Sequence, residues 1–175
     1  MELDAIFINS ASDTACYDIL EREVNGTVLV NPTWNEVAEL LENSRRDVVI
    51  FGHGTEYGVF AHDFGDYLIS DSDAELLSNR RVIGIWCFAG NYAARHDLHG
   101  FFTSMFISNV NESVVNERPA EAEDIDRELR LFLERIAAFI HDDVPMDEWV
   151  DRLHAVADWS QPFVAFNYEC LSYLE

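Results

Sequence analysis

Two apolar runs in this sequence each lead into a residue able to do proton or nucleophilic chemistry. The first, VVIFGHGTEYG at 48–58, carries His53; the second, VIGIWCFAGNYA at 82–93, carries Cys87. A thiol at its ordinary pKa is mostly protonated at neutral pH, and the thiolate is the nucleophile. A nearby imidazole takes that proton or stabilises the thiolate as an imidazolium. His53 and Cys87 are therefore candidate catalytic residues, a base and a nucleophile. Gly52 and Gly54 flank the histidine and Gly90 follows the cysteine, permitting close backbone approach to a substrate. The N–H groups of Gly54 and Cys87 are candidate donors to an oxyanion, each worth roughly 3 kcal/mol.

Such a pair must be delivered to one place. LDAIFIN (3–9), GTVLV (26–30) and DVVIFG (47–52) read as strands, and SDTACYDILEREV (12–24) and PTWNEVAELLENS (32–44) between them as helices. This alternation predicts a parallel sheet with helices on both faces. YGVFAHDFGDYLIS (57–70) reads as a hairpin, DSDAELLSN (71–79) as a short capped helix and RVIGIW (81–86) as another buried strand. A helix from about residue 90 and a strand over 100–108 follow, then a polar loop over 109–124. The segment 124–142 is an amphipathic helix with Ile125, Leu129, Leu133, Ile136, Ala137 and Ile140 on one face. A helix over 145–159 and a last strand over 162–174 complete the chain. The expectation is one α/β domain over 1–175: a three-layer sandwich whose mostly parallel sheet has about six strands. Function in such sheets gathers at the carboxyl ends of the strands, where both His53 and Cys87 would lie. Strands sit about 5 Å apart, so neighbouring strands would bring imidazole and thiol within reach. A helix starting near residue 90 would add its positive end near the sulfur.

Charge limits the partners. Against 33 acidic residues stand 11 basic ones, a net charge of −22, and the sequence has no lysine. That field repels nucleic acid and anionic membrane. It reads first as a solvated acidic surface; a DNA-mimic decoy is the alternative that charge alone supports. Three cysteines form no C-x-x-C and cannot close a disulfide framework, and the N-terminus has no basic signal region. A cytoplasmic protein is expected. No Cys/His cluster has zinc spacing, and the acids Asp63, Asp66, Asp71 and Asp73 lack the order of a calcium loop. No metal or cofactor is expected. Cys16 and Cys170, and the tryptophans Trp34, Trp149 and Trp159, read as structural.

The order of these pieces resembles the caspase-like cysteine peptidases, the group of caspases, metacaspases, gingipains, separases and CHAT domains. The residues that carry it are a strand ending in HG (His53, Gly54), a Gly-containing hairpin, a short helix, and a second strand ending in Cys87 and small residues. In element order it covers residue 3 to about 115. It implies His53 as general acid/base, Cys87 as nucleophile and the Gly54 N–H as oxyanion donor. It also implies that GFFTSMFISNVNES (100–113) shapes a specificity pocket, making Ser108 and Asn109 substrate-binding candidates. Two departures matter. Trp86, a bulky residue, precedes the cysteine. The loop 9–15, where caspases draw an Arg for an aspartate side chain, has no Arg but holds Asp13. Trp86 and Asp13 join the substrate-binding candidates, and the acidic field favours a basic side chain before the scissile bond. The expected partner is a peptide or protein substrate; a caspase-like binding module that does not cleave is the alternative.

Overall fold

The computed structural model describes residues 1–10 and 12–175, and the side chains of all of these except Ser12 and Asp13. The elements run β1 (Leu3–Phe7), α1 (Asp18–Glu21), β2 (Val28–Val30), α2 (Trp34–Asn43), β3 (Asp47–Phe51), β4 (Gly54–Thr55), β5 (Gly58–Phe60) and β6 (Tyr67–Ser70). They continue with β7 (Arg81–Ile85), α3 (Ala89–Arg95), β8 (His99–Phe102), α4 (Val110–Val115), α5 (Ala122–His141), α6 (Trp149–Val156), α7 (Pro162–Glu169) and β9 (Ser172–Leu174). Six strands form one sheet in the order β2-β1-β3-β7-β8-β9, parallel throughout except for β9. Strands β4, β5 and β6 make a separate antiparallel sheet.

Alternation along the central strands builds two cores. Leu3, Ala5, Phe7, Val49, Phe51, Ile83, Ile85 and Phe101 pack on one face with α1, α5, α6 and α7. Ile6, Ile8, Val48, Ile50, Val82 and Phe102 pack on the other with α2, α3 and the small sheet. Each central strand is therefore apolar on both sides, as expected where helices cover a parallel sheet. Helix α2 begins on a capping box, Thr33 Oγ1 accepting from Glu36 N–H and Glu36 Oε2 accepting from Thr33 N–H at 2.7 Å. Its last carbonyls are met by the buried Arg80, whose Nη2 donates to Leu41 O and Ser44 O. Burial holds that guanidinium below its usual pKa.

Four sequence expectations change. Residues 162–169 are helix α7 rather than strand: Pro162 occupies its first turn, and Phe163, Val164, Asn167 and Tyr168 are the buried set, a helical spacing. Only Ser172–Leu174 is strand, antiparallel to β8. The strand expected over 100–108 ends at Phe102, because Thr103 turns its hydroxyl onto Trp86 O at 2.9 Å and the chain leaves the sheet. Within the expected loop 109–124 lies α4, capped by Asn109 accepting from Glu112 N–H. The helix expected over 12–24 is a 3-10 turn over 12–17 followed by the single turn α1. Among the described residues no helix is long and apolar enough to cross a membrane.

Candidate active site

Strands β3 and β7 are hydrogen-bonded neighbours, and Phe51 pairs with Ile85 at their carboxyl ends. Gly52 N–H still donates to Ile85 O at 3.1 Å, so the two chains leave the sheet side by side. His53 stands two residues past Phe51 and Cys87 two past Ile85. Both half-buried residues line one cleft with Thr14, Phe51, Gly52, Ile85, Trp86, Thr103, Phe106, Ser108 and Leu129. Its volume is about 30 Å³.

A strained turn carries the cysteine. Ala89 N–H donates to Trp86 O across Cys87 and Phe88, and Phe88 sits in the left-handed region at φ 66°. A bulky non-Gly residue there costs on the order of 1–3 kcal/mol and persists only where the surroundings enforce it. Trp86 O also accepts the Thr103 hydroxyl, and Gly90 N–H donates to Thr103 O. The turn is thus tied to the end of β8 on both sides. Cys87 Sγ donates to Phe106 O at 3.8 Å.

The histidine is bordered by aromatic rings. Phe64, at the tip between β5 and β6, lies 5.5 Å from the His53 ring centroid, and Phe60 stacks on Tyr67 behind it. Phe60 N–H donates to His53 O at 2.8 Å. Gly54 and Val59 then form the ladder pair without direct hydrogen bonds, which turns the Gly54 N–H away from β5. A Cβ at Gly54 would lie 2.4 Å from Trp86 Cδ1, so the small sheet rests directly on the indole.

Of the other residues singled out by sequence, Ser108 lines the cleft, with its N–H and hydroxyl both on Glu112 Oε2. Asn109 does not line it; its side chain caps α4. The Trp86 ring is 3% exposed and packs on Gly54, Gly84 and Tyr92, with Nε1 donating to Thr55 O at 3.3 Å. Its bulk therefore props the small sheet. The Asp13 side chain lies outside the described residues.

Sequence reasoning missed the second layer. Asn167 is 1% exposed; its Oδ1 accepts from Ile107 N–H at 2.7 Å and its Nδ2 donates to Ile107 O at 3.1 Å. This amide pins the irregular segment that carries Phe106 and Ser108. The signal was Asn167, the first polar residue after the apolar run PFVAF. Thr103, Phe106 and Leu129 gave no signal of their own. None of the three cysteines is in a disulfide. Among the described residues no group of three or more His, Cys, Asp or Glu side chains is placed to hold a metal ion. No protein-family model, curated protein or solved structure matches the chain.

Proposed function

We propose that this protein is a cysteine hydrolase, a peptidase of caspase-like arrangement, acting through an acyl-enzyme on Cys87. The supporting observation is that paired neighbours β3 and β7 end, in register, on His53 and Cys87 in one cleft. In the reaction the Cys87 thiol gives its proton to His53 as sulfur attacks the substrate carbonyl carbon. The Gly54 and Cys87 N–H groups receive the oxyanion. His53 returns the proton to the departing amine as the C–N bond breaks, leaving a thioester. Water, deprotonated by His53, then attacks the thioester; the acid leaves and the thiol is restored.

A second reading is a caspase-like binding module that does not cleave. The narrow cleft and the thiol's bond to Phe106 O favour it. Iodoacetamide labelling at neutral pH separates the two. A dyad makes Cys87 react faster than Cys16 and Cys170, and His53→Ala slows Cys87 alone. Equal, slow labelling of all three cysteines rejects the hydrolase.

A further inference from the structure

The walls of the cleft limit what can lie beside Cys87. Phe51, Ile85, Phe106 and Leu129 are apolar, and Thr103 spends its hydroxyl proton on Trp86 O. Thr14 Oγ1 accepts from Ser10 N–H at 3.1 Å. Among the described lining residues there is no Arg, Asp or Glu to pair with a charged group. Burying an unpaired charge against such walls is strongly unfavourable. The space of about 30 Å³ matches roughly two waters. Phe106 and Leu129 are two of the apolar side chains that bound it. Leu129 is fixed in the buried face of the long helix α5. Phe106 packs on Phe132 at 4.9 Å, and the next residue is held at both its N–H and its carbonyl by Asn167.

We propose that the cleft accepts an acyl residue with a small uncharged side chain, of alanine or serine size, and that Phe106, pinned through Ile107 by Asn167, sets the limit. This rests on the hydrolase reading for its chemistry, and it replaces the basic side chain that surface charge alone favours. An acidic surface acts at long range and is screened by salt within about 8–10 Å. Wall contact within the cleft is not screened.

The test uses the full chain and peptidyl chloromethyl ketones that differ only in the last residue: Ala, Phe, Arg or Asp. Alkylation of Cys87 is followed by intact mass, so no turnover is needed. The Ala ketone should label about tenfold faster than the others, the scale on which a hydrophobic pocket discriminates by size. Phe106→Ala should bring the Phe ketone up toward the Ala rate. If that variant does not fold, Phe106→Leu should show the same trend, smaller. Fastest labelling by Arg or Asp, equal rates across the series, or no labelling by the Ala ketone overturns the proposal. Iodoacetamide labelling of the same samples reports on the dyad separately. Should Cys87 prove no faster than Cys170 there, the hydrolase reading falls, while the order of the ketones still decides the limit of the cleft.

Discussion

Replacing Asn167 by Ala tests how the cleft wall is held. The residue is 1% exposed, as is Ile107, and the two hydrogen bonds between them span 60 positions of sequence. Truncation removes both partners of Ile107 at once. Each buried backbone group left unpaired costs about 1–3 kcal/mol, so the variant should lose about 2–6 kcal/mol. A water entering the vacated space would bring the loss to the lower end. Domains of this size are stable by about 5–15 kcal/mol, so the variant should still fold under mild conditions. Urea unfolding should show a lower midpoint with an unchanged slope. Hydrogen exchange adds a local readout: the Ile107 amide, protected in the parent, should exchange faster than its neighbours in β8. A midpoint equivalent to less than about 0.5 kcal/mol, the range of ordinary surface changes, together with an unaltered Ile107 amide, would refute the reasoning.

Other perturbations give equally definite outcomes. Gly100 has φ 138°, and a Cβ there would lie 2.0 Å from Val82 O, so Gly100→Ala should destabilise by more than about 1 kcal/mol in urea unfolding; a neutral result would contradict the β7–β8 geometry. The hydrogen bond from His96, with help from Arg95, holds the Asp71 carboxyl below its ordinary pKa. Its stabilising effect is therefore present above about pH 4 and disappears as pH falls through the lowered value. An NMR titration should find Asp71 below the ordinary aspartate value, and Asp71→Asn should abolish that acid-side loss. Burial and the charge of Glu169 push the Cys170 thiol up, so its alkylation should be slow at pH 7 and rise only in alkali; Cys170 labelling first at pH 7 would contradict this.

Much of the scaffold was readable because its residues carry one message. VVIF and VIGI are apolar at every position, which only a strand covered on both faces explains. Helix α5 repeats its buried residues at threes and fours. The dyad candidates followed because each is the first reactive side chain past such a strand. Helix α7 was misread because it is apolar nearly all round, which erases the period that separates helix from strand. The end of β8 was misread because its stop is a tertiary bond from Thr103 to Trp86 O, not a turn residue. Arg80 escaped notice for a related reason: a buried guanidinium closing a helix 36 and 39 positions away leaves no local pattern.

The parity of two strands decides which residues can form a site here. In β7 and its extension, Ile83 and Ile85 face the α5 core, whereas Val82 and Trp86 belong to the opposite core. Past the strand ends, Cys87 and His53 line one cleft together with Phe51, Ile85, Phe106 and Leu129 of that first core. Trp86, adjacent in sequence to the sulfur, joins the opposite core, and its indole supports Gly54. A bulky residue beside the cysteine is thus compatible with an open sulfur, and it fixes the height at which the small sheet sits over His53. A one-residue slip between β3 and β7 would not simply shift the pair. It would send the imidazole or the thiol to the α2 and α3 face, where Tyr92, Leu77 and Ala93 leave the cores filled. The register from Val48–Val82 to Phe51–Ile85 is therefore what places His53 and Cys87 in one cleft.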